Sequence, residues 1–142
     1  MNRINLLASL CKGSNIICDV GCDHAYVLIE AIKNYGVKKG IAADIGEGPL
    51  EMAKKSIAEA RLNDKIELCL SNGFTNIESS FDTAIIAGMG GSLIVDILTN
   101  GISKLNGAKL ILQANNDRMK LRLFLKNNEQ LIDKKIEINQ LE

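Results

Sequence analysis

Ile16-Ile17-Cys18-Asp19-Val20-Gly21-Cys22-Asp23-His24-Ala25-Tyr26 is the stretch on which the reading of this chain turns. Its first five residues form a short, largely aliphatic run, the pattern of a strand buried on both faces, and Gly21 ends it. From Ala25 to about Tyr35 the apolar residues Leu28, Ile29, Ile32 and Tyr35 recur at helical spacing, and Gly36 supplies a stop. Strand, glycine turn and helix in that order begin a βαβ unit.

The same alternation runs through the rest of the chain. Residues 40–44 read as a second strand, and Pro49 sits where a first-turn proline is tolerated. Leu50, Ala53, Ile57 and Ala60 then share a helix face, with Glu51 and Lys55 paired at i,i+4. Residues 66–70 make a third strand, followed by the turn signal Asn72-Gly73. Residues 83–87 make a fourth strand, broken by Gly88-Met89-Gly90-Gly91, and Leu93, Ile94, Ile97 and Leu98 stripe the next helix. A fifth strand spans 110–113, Met119, Leu121, Leu123 and Leu125 mark another helix, and 132–138 reads as a sixth strand. Five βα units in a row predict an α/β fold, a mainly parallel sheet with helices on both faces. No repeat or low-complexity segment interrupts it, so 1–142 reads as one domain.

Composition narrows the function classes. The 142 residues are 46% hydrophobic and 24% charged, ordinary for a globular protein with a real core. No apolar run approaches the roughly 20 residues a membrane helix needs, and the start shows no signal-peptide pattern, so a cytoplasmic location is expected. Seventeen basic residues balance seventeen acidic ones, so any grip on nucleic acid is local or comes from sequence outside this chain. Arg118, Arg122 and Lys126 recur every four residues, a row read first as a solvated face rather than an RNA contact. Cys11, Cys18, Cys22 and Cys69 include no Cys-x-x-Cys pair and match no zinc spacing. They are expected to be reduced core thiols, and no metal is expected.

In an open α/β sheet, ligands bind beyond the carboxyl ends of the strands. Gly21 permits a sharp turn and close ligand approach after the first strand. Asp44 ends the second strand 23 residues after Gly21, near the spacing at which an acidic side chain takes ribose hydroxyls. Asn72 and Gly73 follow the third strand and suit an adenine edge, and the glycines around Met89 follow the fourth. A dinucleotide fingerprint needs a second glycine where this turn has Asp23. A carboxylate there repels a pyrophosphate but suits the cationic methionyl end of S-adenosylmethionine, which leaves a nicotinamide-dependent reductase the weaker reading. Plainer roles remain for each residue: Asp44 as a turn cap, Asp23 or the lone His24 as a helix cap, and 88–91 as only a tight turn.

Several of these segments are similar to one family. Asp19-Val20-Gly21-Cys22-Asp23-His24-Ala25-Tyr26 resembles the Asp-Ile-Gly-Ser-Asp-His-Ala-Tyr signature of the bacterial tRNA adenine-22 N1-methyltransferases. Gly48-Pro49 with Ala53, Ile86-Ala87-Gly88-Met89-Gly90-Gly91, Leu110-Ile111-Leu112-Gln113 with Asn115, and Leu121-Arg122 with Phe124-Leu125 resemble its further motifs in the same order. Leu28 and Ala114 stand where the family has proline, and Asn72 where it has aspartate. Family members also continue through a closing hairpin into a helical extension that helps hold tRNA; this chain stops at Glu142, after one strand of that hairpin. A short homologue, a degraded copy and a fragment all fit that ending.

The resemblance implies a Rossmann-like class I S-adenosylmethionine-dependent methyltransferase that methylates N1 of an adenine in tRNA, its hold on tRNA weakened by the missing extension. The expected cofactor set is Asp19, Gly21, Asp23, Asp44, Ile45, Asn72, Gly73, Ala87 and Gly88. Asp23, His24 and Asn115 are the expected catalytic residues, with Tyr26, Met89 and Gly90 shaping the base pocket. A cofactor-binding domain without catalysis of its own is the alternative. An open sheet edge adds an expectation of self-association.

Overall fold

The computed structural model describes residues 2–132 and 134–138. Its elements are α1 (Arg3–Ser9), β1 (Ile16–Val20), α2 (Tyr26–Asn34), β2 (Lys39–Asp44), α3 (Glu47–Glu59), β3 (Ile66–Leu70), β4 (Thr83–Met89), α4 (Gly91–Leu105), β5 (Lys109–Ala114), α5 (Arg118–Asn127) and β6 (Lys135–Glu137). The strands form one sheet in the order β3-β2-β1-β4-β5-β6, with every pairing parallel. The chain moves out from β1 to β3 and then crosses back to lay β4 on the other side of β1. That reversal opens a crevice between the carboxyl ends of β1 and β4.

Strand periodicity divides the core into two layers. Cys18, Val20, Ile41, Ala43, Ala84, Ile86, Leu110 and Leu112 face α4 and α5. Ile17, Ala42, Ile85 and Ile111 face α1, α2 and α3. Burying each large aliphatic side chain contributes about 1.5–3 kcal/mol, and this double layer fixes the strand register.

Four local expectations need correction. Burial on both faces holds for β1, β2, β4 and β5 but not for the edge strand β3, where Leu68 is 38% and Leu70 50% exposed and Cys69 is half-buried. β4 does not stop at Ala87; it passes through a register shift at Gly88 to Met89. Leu93, Met119 and Leu123 are exposed, so the apolar stripes of α4 and α5 rest on Ile94, Ile97, Leu98, Leu121 and Leu125. The sixth strand is shorter than 132–138, being Lys135–Glu137 parallel to β5, and residues 133 and 139–142 lie outside the described residues.

Helix α1 was not legible from hydrophobic spacing. Asn2 caps it by accepting a hydrogen bond from the Asn5 N–H at 2.8 Å, and Leu7, Ala8 and Cys11 pin it to the α2 side of the sheet. Burial pushes the Cys11 thiol up to about 12 and raises those of Cys18 and Cys22 well above the usual range, so these thiols stay protonated. No helix among the described residues is long and apolar enough to cross a membrane.

Candidate functional site

The turn after β1 is unusual in its backbone. Gly21, Asp23 and Ala25 all have positive φ, at 80°, 50° and 62°, a conformation costly for residues bearing a Cβ. The turn is held to β2 by the Gly21 and Cys22 N–H groups, which both donate to the Ala43 carbonyl at 2.8 and 3.0 Å. A Cβ on Gly21 would lie 2.5 Å from Met89 Cε, so this glycine leaves the two strand ends room to face each other. Neither Asp23 nor His24 caps α2, whose first turn has no side-chain cap. The plainer reading of those two residues therefore does not apply. Instead His24 Nδ1 lies 3.4 Å from Asp23 Oδ2, and the imidazole stacks on Tyr26 with centroids 5.1 Å apart at 14°. The pair forms a flat ledge, with Tyr26 49% exposed.

Asp44 closes β2 and organises the rim. Its Oδ1 accepts the Gly46 N–H at 3.0 Å and its Oδ2 the Asp23 N–H at 3.3 Å. Each oxygen keeps a lone pair for a ligand hydroxyl. Beside it the apolar side chain of Ile45 is 70% exposed. The Asp44 carbonyl accepts the Ser71 N–H at 2.9 Å, which places Asn72 and Gly73 alongside. Asn72 is exposed, whereas Gly73 is buried with φ of 60° against Ile97.

The loop after β3 is fixed from a distance. Lys104 Nζ donates to the carbonyls of Phe74, Thr75 and Ile77 at 2.9, 2.9 and 2.7 Å. Hydrogen bonds from a charged donor contribute more than neutral ones. Lys104→Met is expected to lower unfolding stability by about 1–3 kcal/mol, read by urea denaturation. An unchanged midpoint would mean the ammonium is not holding the loop.

The glycines after β4 divide by role. Gly88, with φ of 79°, lies beneath the Arg3 guanidinium, and a Cβ there would sit 2.7 Å from Nη2. Gly90 packs on the Asn116 side chain, and a Cβ on Gly91 would overlap the Asp117 carbonyl oxygen. Close packing of the β4 and β5 loops thus accounts for Gly90 and Gly91 without a ligand. The Gly88 N–H donates to Gln113 Oε1 at 2.8 Å. This fixes the buried Gln113 amide, whose Nε2 donates to Asn115 Oδ1 at 3.2 Å. Asn115 is thereby turned, and its own amide nitrogen donates to nothing among the described residues.

A cavity of about 110 Å³ lies at the switch point, lined by Arg3, Asp19, Gly21, Asp23, His24, Tyr26 and Ala87 among others. Asp44, Ile45, Asn72 and Gly73 continue the rim toward β3, and Gly88, Met89, Gly90 and Asn115 continue it toward β5. A larger recess of about 370 Å³ sits at the opposite ends of β1 to β3, lined by Ile16, Lys39, Gly40 and Ile66 among others. It lies away from the carboxyl ends where open α/β sheets bind ligands, so the smaller cavity is the candidate.

Electrostatics mark Asp19 within that cavity. Burial pushes its carboxyl up to about 7, the Arg3 charge lowers it and the Asp44 carboxylate raises it. No group of three or more potential metal ligands occurs among the described residues. Arg3, Gln113 and Lys104 escaped the sequence reading as site residues; the signals were the Asn2 cap that starts α1 for Arg3 and the Leu110-Ile111-Leu112-Gln113 block with Asn115 for Gln113.

A doubly wound parallel sheet carrying carboxylates rather than a diphosphate cradle at its switch point is the Rossmann-like fold of S-adenosylmethionine-dependent methyltransferases. The chain belongs to the methyltransferase domain family, whose model matches residues 1–140. The Bacillus subtilis tRNA (adenine(22)-N(1))-methyltransferase is 36% identical over 137 residues, covering 94% of this chain and 58% of that protein. Mycoplasma capricolum TrmK, solved with S-adenosylhomocysteine, matches with 34% identity and a TM-score of 0.82, over 89% of this chain and 57% of that one. A Streptococcus pneumoniae protein solved with S-adenosyl-L-methionine matches with 39% identity and a TM-score of 0.84, over 90% of this chain and 62% of that one. The chain thus spans about three-fifths of the length of these relatives.

Proposed function

We propose that this domain binds S-adenosylmethionine and directs its methyl group to N1 of an adenine in tRNA. The observation that carries the reading is Asp44, held by two backbone N–H groups at the end of β2 with lone pairs to spare, beside a glycine turn rich in carboxylates. The residues fit the cofactor on their own chemistry. Asp44 suits a ribose diol and the exposed Ile45 an adenine face, while Asn72 offers an amide to its edge. Gly21 and Gly88 let Met89 and the Arg3 guanidinium close in on the cavity, and Asp19 suits a cationic amino-acid end. The same carboxylates disfavour a pyrophosphate and with it a nicotinamide dinucleotide.

S-adenosylmethionine supplies an electrophilic methyl group when bound. The His24–Tyr26 ledge receives the target base, which must leave its stack first. The Asn115 amide, aimed by Gln113, orients the base edge. Holding N1 in line contributes most of the acceleration, since N1 already carries its lone pair. Methylation leaves the adenine cationic, and the 70% exposed Asp23 carboxylate stabilises that charge or takes a proton from the exocyclic amine.

The tRNA grip is local. Net charge is zero, and within the basic row Arg122 pairs with Glu137 at 3.2 Å. A tRNA substrate supports the expected cytoplasmic location. The exposed Leu68 and Leu70 on edge strand β3 support self-association.

Incubation with unmodified tRNA and labelled S-adenosylmethionine, followed by nucleoside mass spectrometry, is expected to yield N1-methyladenosine. S-adenosylhomocysteine binding without methyl transfer would favour the second reading, a cofactor domain lacking autonomous catalysis, which the three-fifths coverage of its relatives keeps in play. Binding of NAD in preference to S-adenosylhomocysteine would overturn both.

A further inference from the structure

Gln113 is 5% exposed near the end of β5, and backbone groups of opposite kind fix its polarity. Its Oε1 accepts the Gly88 N–H at 2.8 Å, while Nε2 donates to the Ala114 carbonyl and to Asn115 Oδ1, both at 3.2 Å. Turning the amide over would set donor against donor at Gly88 and acceptor against acceptor at Ala114. The polarity passes on to Asn115, whose oxygen must face Gln113 and whose Nδ2 carries both its protons to the other side. Asn115 is exposed, and this nitrogen donates to nothing among the described residues. The rim beyond β5 therefore presents a donor, whereas Asp23, beyond β1 on the other flank of β4, presents an acceptor.

We propose that Gln113 is a positioning residue that holds Asn115 as a donor to N3 of the target purine, and that this selects adenine against purines bearing an amino group at C2. The inference rests on the adenine-methylating reading above and adds the atom by which the base is told apart. N1 of adenine must stay free to take the methyl group, so a donor beside the base has only N3 or N7 to bond. N7 lies on the side of the C6 amine, and N3 lies across the ring from it. A base whose amine meets Asp23 on the β1 flank turns C2 and N3 toward the β5 flank, where Asn115 stands. Guanine carries an amine at C2, so donor would meet donor there, and a desolvated donor without an acceptor is costly.

The test uses unmodified tRNA in which the adenine methylated by the wild-type chain is replaced by 2,6-diaminopurine, which keeps the C6 amine and the N1 lone pair and adds an amine at C2. In single-turnover transfer from S-adenosylmethionine, the wild-type chain is expected to be about 10- to 100-fold slower on diaminopurine than on adenine. Asn115→Asp, at an exposed position, keeps one oxygen for Gln113 and turns the other to the base, so it reverses the preference. Gln113→Leu frees the Asn115 amide to turn over, so the preference narrows while S-adenosylhomocysteine still binds by calorimetry. Equal rates on both bases in wild type, or a wild-type preference kept by either variant, overturns the proposal. Loss of S-adenosylhomocysteine binding in Gln113→Leu also overturns it, because Gln113 then acts by seating Gly88. A wild-type chain that binds S-adenosylhomocysteine yet methylates no tRNA adenine overturns the methyl-transfer reading along with the proposal, and the adenine rate alone tells that outcome from the others.

Discussion

Asp44→Ala is expected to weaken S-adenosylhomocysteine binding by about 100-fold or more and to erase the thermal shift the ligand gives the wild-type domain. Two hydroxyl-to-carboxylate hydrogen bonds, each stronger than a neutral pair, vanish together. The substitution also strips acceptors from the Gly46 and Asp23 N–H groups, so the contact between the turns after β1 and β2 loosens. That second effect is modest for stability, about 1–2 kcal/mol, since both groups can turn to water. The two are separable, because Asp44→Asn keeps one acceptor oxygen for the turn yet loses the charge. A full ligand-induced shift retained by Asp44→Ala would mean the ribose is held elsewhere.

The second large effect is a pH dependence set by Asp19. In the unfolded chain this carboxyl loses its proton near pH 4, whereas burial holds the proton to about 7 in the folded one. Between those values folding takes up a proton, so stability falls as pH rises, by about 1.4 kcal/mol per unit and up to about 4 kcal/mol in all. Below pH 4 and above pH 7 the contribution is level. Asp19→Asn removes the slope. Its unfolding midpoint relative to wild type should therefore climb by roughly 10 °C from pH 4 to pH 8, on top of any constant cost of burying the amide. A variant-to-wild-type difference that stays flat over that range would show that Asp19 does not hold its proton in the folded chain. The same ionisation serves binding: affinity for a cationic amino-acid end should rise with pH up to about 7 and be weak in Asp19→Asn. A residue that costs the empty fold stability is what a ligand-binding carboxylate looks like.

The readable part of this site is its strand ends. Asp44 and Gly21 could be placed because each terminates an aliphatic run, and in a parallel sheet such termini lie on one rim. Asp23, His24 and Tyr26 came with the turn that follows. Roles within the glycine run could not be told apart, because Gly88, Gly90 and Gly91 are identical letters whose differences lie in what sits against them: Arg3, Asn116 and the Asp117 carbonyl. Gln113 reads from the sequence as the end of a strand and of a family-like block, and only the fold sets its amide between Gly88 and Asn115.

Alternating aliphatic runs and helical stripes, by themselves, determined a parallel α/β sheet, its site-bearing rim and the acidic residue closing the second strand. These are local properties, carried by periodicities of two and 3.6 residues. The folded chain alone decided that β3 lies at an edge with its leucines exposed, and that a lysine 30 residues away ties down the loop bearing Asn72 and Gly73. It also decided that an arginine from the first helix lies over the Gly88 turn and lines the same cavity as the buried Asp19. Contacts of that kind depend on how the strand order brings remote segments together, and no local pattern records them.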